Sequence, residues 1–490
     1  MDSQLPALSL KHLEATVAID SQSDEDSLTL PTTEGQKVLA NYLASFYGDL
    51  GATIERDEHA NVIASFAAQH SDAAPVALMV HLDTARGTQA IPHLHRTPWD
   101  GSPLRYPRNA TLQVDLETYP SAAEFKDQTL VHGPGDFPFG LDDKLGLTHC
   151  MTLATLLVRD PSIPRPPLLF IGRPDEEVGR MEAVEGLAGL LAERGVRFGY
   201  TIDGILPYEV NVENFNAASA SVWFPSRRVP PAPSWQVHLG GVNTHGATAM
   251  AEGYRSATRF GAALIARGVQ VVGFQSDALR DCDAALLVHG HDPSRVVEAV
   301  VGLHLGRGAS FSVDEVEARA GDGAATDLLR WVADFQDSAP GFTLLSEDSE
   351  DRDGYSNPYR GRLDGGALRL DIRVRDFSRE GLERRIEHVL AQAGARRCEH
   401  HHQYVNMGPR LADHPQLVEL AMRAGRAAGV DVRKQPIRGG TGVDPFLDAG
   451  IPIANLGTGY FAPESEKEFT SLEMMAGHAR WLLELVKMLA

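Results

Sequence analysis

Three short, nearly continuous apolar runs constrain this chain most: VALMV at 76–80, PLLFIG at 167–172 and, more weakly, FGYTID at 198–203. A strand buried on both faces reads as an unbroken apolar run, because neither face meets water, whereas a half-wet strand alternates. The helical stretch LGLTHCMTLATLLVR lies between the first two runs, so the pattern predicts the α/β class, a buried sheet flanked by helices. Upstream, Val38, Leu39, Tyr42, Leu43, Phe46 and Leu50 recur at helical spacing, with Gly51 available as a C-cap. Each apolar run ends in polar or acidic residues: His81 and Asp83, then Asp175, Glu176 and Glu177, then Asp203. Open α/β sheets bind ligands at the carboxyl ends of their strands, so this recurrence marks a candidate site.

From about residue 209 the texture changes. LRLDIRVR at 368–375 alternates Leu368, Leu370, Ile372 and Val374 against charged residues, the pattern of a sheet with one wet face. The following helix has Ser378 as N-cap and Leu382, Ile386, Val389 and Leu390 on one face. Strand and covering helix predict a two-layer α+β domain over 209–403. Sheet-type sequence returns in IPIANLG at 451–457, before a closing helix, so 1–208 and 404–490 are expected to form one domain around an insertion. RVPPAPS (228–234) and SEDSEDRDG (346–354) read as loops.

The chain has 490 residues, with 66 Asp and Glu against 45 Lys and Arg, a formal charge of -21. That balance argues against nucleic acid or an anionic membrane as partner and suits cation binding. The first 20 residues lack a basic region followed by an apolar one, and no run approaches a membrane span, so a soluble cytoplasmic protein is expected. Cys150, Cys282 and Cys398 lack paired spacing and predict neither a disulfide framework nor a thiolate site.

Taken singly, the polar motifs have bland explanations. His81 in HLDT could be a core histidine, although Asp83 is placed to hold its second ring nitrogen if a metal took the first. The aspartates of GLDDKLG (140–146) could cap a helix, and Asp203 in YTIDG could be a turn residue. PDEEVG (174–179) sets three acids in succession, and their repulsion in a cleft would be costly without a cation. In FAPESEKEF (461–469), Glu464, Glu466 and Glu468 alternate, as on the wet face of an edge strand. Taken together, one histidine and several carboxylates at successive strand ends describe a two-metal site with a bridging carboxylate.

These motifs, in this order, resemble the peptidase T family of dinuclear zinc aminopeptidases. HLDTA, GLDDKLG, PDEEVGR and YTIDG correspond, as do PTTEGQ (31–36), VENFNAAS (212–219), IRGGT (437–441) and NLGTGY (455–460). The segments 88–135 and 268–350 match poorly. The resemblance implies a catalytic domain with a mixed sheet, an inserted lid and two divalent ions, zinc first, with manganese or cobalt as alternatives. By the same resemblance His81, Asp142 and Asp203 hold one ion and Asp142 and Glu177 the other. Glu176 becomes the general base and Asp83 the residue that orients His81. His245 in NTHGATAM falls where the family has an oxyanion-stabilising lid histidine, although Gly246 replaces the usual proline. Arg438 matches an arginine suited to fork the substrate carboxylate. The run His400, His401, His402 places neighbours on opposite strand faces and matches no family ligand.

One ligand departs from the pattern. The family places a histidine four residues before the glutamate of an E-F pair; here Glu468 and Phe469 supply the pair and Glu464 stands at the histidine's place. A fourth carboxylate would bring two divalent ions to neutrality and shift preference from zinc toward manganese or cobalt. Glu466 keeps the reading of a solvated residue. The function expected is removal of the N-terminal residue from short peptides, tripeptides included, and the resemblance alone adds a homodimer as one arrangement it allows. Two alternatives stay open: an amidohydrolase acting on dipeptides or N-acyl amino acids, and a catalytically impaired peptide- or metal-binding protein.

Overall fold

The computed structural model describes residues 4–338 and 352–490. Positions 346–351 of SEDSEDRDG lie outside the described residues. The chain divides into two compact units: Met1–Arg108, Asp115–Asn214 and Asn406–Ala490 form the first, and Asn109–Val114 with Phe215–Val405 form the second.

The first unit is built on an eight-stranded sheet in the order Thr53–Arg56, Val62–Phe66, Leu168–Arg173, Val76–His81, Gly199–Gly204, Ile453–Gly457, Glu209–Glu213, Arg433–Pro436. The Val76–His81 strand runs parallel to both neighbours, Leu168–Arg173 and Gly199–Gly204, and Ile453–Gly457 runs parallel to Gly199–Gly204. Antiparallel pairings of Val62–Phe66 and Glu209–Glu213 make the sheet mixed. The unbroken apolar runs fill two cores. Val76, Leu78, Val80, Leu168 and Phe170 enter one, with Leu147 and Met151 of the Leu141–Arg159 helix and Trp481 and Leu485 of the Leu472–Leu489 helix. Ala77, Met79, Leu169 and Ile171 enter the other, against Leu187 and Leu191 of the Glu185–Glu193 helix. Successive strand residues point to opposite faces, so helices on both faces demand continuous hydrophobicity. Of the expected apolar stripe on the Glu34–Asp49 helix, Leu39 and Leu43 are buried while Val38 is exposed.

The strand Glu209–Glu213 belongs to this sheet, so the long stretch of the second unit is Phe215–Val405, with Asn109–Val114 added to it, where the sequence pattern predicts 209–403. At its start Glu209 is buried and accepts the Leu206 N–H at 3.1 Å. Burial raises its carboxyl from 4.5 to about 7, opposed by hydrogen bonds and by Arg433. A raised carboxyl is protonated in the folded state first, so its ionisation cost appears as pH climbs from 4.5 to about 7 and is complete above that. Glu209→Gln is therefore expected to gain stability relative to wild type across this window, by up to roughly 3 kcal/mol. Urea unfolding in chelator at pH 5 and pH 8 checks this; an equal difference at both pH values would contradict it.

The second unit contains two four-stranded antiparallel sheets. One follows the order Tyr355–Asp364, Ala367–Asp376, Asn216–Pro225, Cys398–His402; the other Gln270–Ser276, Ala284–His289, Arg228–Gly240, Ser310–Asp322. Leu368, Leu370, Ile372 and Val374 turn inward to Leu382, Ile386 and Val389, whereas Leu390 is 37% exposed. Ser378 caps the Arg379–Ala393 helix, its hydroxyl accepting the Gly381 N–H. RVPPAPS is not a loop: it opens the Arg228–Gly240 strand, and the pairing register shifts on both sides of Ala232, where prolines cannot donate to the ladder.

A smaller sheet in the first unit pairs Phe469–Ser471 with Gln128–His132 and that strand with His95–Trp99. Part of the poorly matching 88–135 segment thus lies beneath FAPESEKEF. Tyr119 packs on Phe461, Trp99 and Phe125 on Phe469, and Tyr106 Oη donates to the Lys467 carbonyl at 2.6 Å.

Candidate metal centre

His81 closes the Val76–His81 strand and is buried. Its Nε2 lies 2.9 Å from Asp142 Oδ1 and 3.2 Å from Asp203 Oδ1. Its Nδ1 faces the Asp83 carbonyl at 2.9 Å and the Asp83 carboxylate at 3.3 Å. One donor atom from each of His81, Asp142 and Asp203 lies within 4.8 Å of the others, and no other such group occurs among the described residues.

Local structure aims each ligand. Gly140, in the left-handed region at φ +77, starts the Leu141–Arg159 helix, and Asp142 has non-helical backbone there. Asp143 points inward, its carboxylate accepting the His81 N–H at 3.1 Å and the Gly146 N–H at 3.0 Å. Buried Lys144 donates to the Ile19 carbonyl and to Ser21 Oγ, and Ser21 in turn donates to the Leu82 carbonyl. Asp203 is fixed by its N–H donating to Asn455 at 3.2 Å.

The three acids of PDEE divide. Asp175, at φ +54, accepts the Thr32 N–H at 2.9 Å and Gln36 Nε2 at 2.6 Å, which accounts for PTTEGQ. The Glu176 and Glu177 N–H groups donate to the two oxygens of Asp83, each at 3.0 Å. Asp83 therefore sets the loop carrying both glutamates as well as the His81 ring. Glu177 Oε1 is buried with no hydrogen-bond partner among the described residues.

FAPESEKEF is not extended. Ala462 and Glu464 are left-handed at φ +57 and +55, and Glu466 is 5% exposed, which corrects its reading as solvated. Buried Glu468 accepts N–H bonds from Gly140 at 2.6 Å and Glu464 at 2.7 Å, tying the Asp142 and Glu464 segments together. Glu464 lies outside the three-residue group, yet it is close enough to Glu177 to act on it electrostatically.

Burial pushes Glu177 well above its ordinary value, helped by Asp142 and Glu464. Burial likewise raises Glu176, with Arg173 opposing, and raises Asp203 to about 7 against the pull of His81. Burial alone would lower the His81 imidazole, but Asp203, Asp142 and Asp83 outweigh it and raise it well above 6.5. Crowded acids that resist ionisation, around a histidine that retains a proton, form a site where a divalent cation can replace that proton. The orphaned Glu177 oxygen and the nitrogen and oxygen donors fit such an ion.

Arg438, in the first unit, is buried. His245 lies in the second unit, where its Nδ1 accepts the Ala247 N–H at 3.0 Å. A Cβ at Gly246 would meet Tyr355 Oη at 2.3 Å, which explains glycine where the resemblance expects proline. His400 and His402 are exposed on an edge strand, and His402 pairs with Glu383 at 2.9 Å. Sequence reasoning missed Tyr460, whose hydroxyl donates to Asp142 Oδ2 at 3.1 Å, and Arg173, 3.8 Å from Glu176 and Asp203. NLGTGY and the strand-end position of Arg173 were the available signals.

A histidine and two aspartates converging at the carboxyl edge of a mixed α/β sheet define a candidate divalent-metal site. No family model matches the chain. It is 26% identical to peptidase T of Macrococcus caseolyticus over 483 residues, 95% of this chain and 94% of that protein. In fold it is similar to a tripeptidase from Staphylococcus aureus (TM-score 0.55, 15% identity) and to the aminopeptidase PepT from Bacillus cereus (TM-score 0.54, 16% identity). Both likenesses cover 99% of this chain and 98% of the other. The similarity to peptidase T of Macrococcus caseolyticus thus extends along nearly the whole chain.

Proposed function

We propose that this protein is a metal-dependent aminopeptidase that removes the N-terminal residue of short peptides, tripeptides among them. The observation that carries the reading is the convergence of His81, Asp142 and Asp203 beside a loop on which Asp83 seats Glu176 and Glu177. His81, Asp142 and Asp203 would hold one divalent ion, and Asp142, Glu177 and Glu464 a second. When bound, the ions supply Lewis acidity that polarises the scissile carbonyl and acidifies water. Glu176 takes a proton from the attacking water at its carboxylate and passes it to the departing amine. Asp83 orients His81 and holds the Glu176 backbone. Resemblance assigns His245 to the developing oxyanion and Arg438 to the substrate's C-terminal carboxylate.

Zinc is the proposed metal, with manganese or cobalt favoured to the extent that Glu464 adds an oxygen donor. A cytoplasmic homodimer completes the proposal, on composition and resemblance. The test is a panel of dipeptides, tripeptides and their N-acylated forms on enzyme stripped and reloaded with one metal at a time. Cleavage of free-amine tripeptides is expected. Turnover only of dipeptides or N-acylated substrates would move the protein to the amidohydrolase alternative, and no hydrolysis in any metal would make it a binding protein.

A further inference from the structure

Arg173 ends the Leu168–Arg173 strand opposite His81 in the parallel pairing. Its side chain is 1% exposed. One terminal nitrogen, Nη2, donates to the Thr441 carbonyl at 3.0 Å and lies 3.8 Å from both Glu176 Oε1 and Asp203 Oδ2. Nε has no hydrogen-bond partner among the described residues. A buried guanidinium with an unmade hydrogen bond is costly unless nearby charges repay it, and the nearby charges here are the site's own carboxylates. Gly442 makes the seat: its φ is +54, and a Cβ there would meet Arg173 Nη1 at 2.3 Å and Glu176 Oε1 at 2.7 Å.

We propose that Arg173 is the fixed positive charge of the metal site, a positioning residue that pairs with Glu176 and Asp203 and offsets the negative charge brought by Glu464. The inference rests on the dimetal reading above. With Glu464 as a ligand, four carboxylates neutralise two divalent ions, and Arg173 returns the single positive charge that a histidine at 464 would leave.

The test compares wild type with Arg173→Met and Arg173→Lys, each stripped by chelator and titrated with zinc and with manganese by calorimetry, then assayed on a tripeptide. Removing a positive charge beside Asp203 is expected to tighten divalent-ion binding about tenfold in Arg173→Met. Its kcat should fall about 10- to 100-fold as Glu176 loses its partner. Arg173→Lys keeps the charge and should bind metal within about threefold of wild type. Unchanged or weaker metal binding in Arg173→Met, the signature of a structural role, overturns the proposal. Arg173→Gln serves as the neutral variant should methionine prevent folding. Should wild type hydrolyse no peptide, the peptidase reading fails, while the affinity comparison still decides the charge assignment.

Discussion

Glu176→Ala is expected to lower peptide turnover by about 10²- to 10⁴-fold while leaving metal content close to wild type. The two effects separate because, in the proposed reading, Glu176 moves the proton while His81, Asp142, Asp203, Glu177 and Glu464 hold the ions. Its backbone N–H, which Asp83 holds at 3.0 Å, survives the substitution, so the loop carrying Glu177 keeps its anchor. What disappears is one carboxylate that burial raises above its ordinary value while Arg173 pulls it back, a balance suited to a group that both takes and returns a proton. Metal analysis beside single-turnover kinetics checks the prediction. Loss of metal together with turnover would make Glu176 a ligand, and retained turnover would remove it from the proton path.

Glu464→His is expected to move metal preference toward zinc, changing the ratio of zinc to manganese affinity by about 10- to 100-fold. Glu464 sits at φ +55, a conformation that histidine enters more readily than most side chains, so the backbone can accept the change. Its N–H remains bound to Glu468 at 2.7 Å, which keeps the new imidazole where the carboxylate was. An anionic oxygen donor gives way to a neutral nitrogen donor, and the repulsion that Glu464 exerts on Glu177 is relieved. Calorimetric titration of both metals reads the change directly. Identical affinities and preference in the variant would mean that Glu464 is not a ligand.

The sheet and most of the site were legible because the same local pattern encodes both. Residues 76–80 and 168–172 are unbroken apolar runs, and a strand that ends at the sheet edge must deliver its next residues there, as His81, Asp83, Glu176 and Glu177 are delivered. FAPESEKEF was not legible in this way. Alternation predicts one wet face, but the segment turns twice through left-handed residues and is covered by aromatic side chains from residues 99–125. Those contacts join positions more than 300 residues apart, and no local period reports them. The prolines of RVPPAPS gave the opposite error, since a shifted pairing register absorbs them inside a strand.

By itself the sequence determined the α/β class, the strand ends that carry the site and the identity of the chemical groups, because hydrophobic periodicity and residue type are local properties. Only the tertiary structure decided which acids face inward and what holds them. Asp175 turns to Thr32 and Gln36, Asp83 gathers the two glutamates, Glu468 ties Glu464 to the Asp142 loop, and Arg173 enters beside Glu176 and Asp203. A side chain's charge is written in its codon, but the partners that make a buried charge tolerable come from segments far apart in the chain and meet only when it folds.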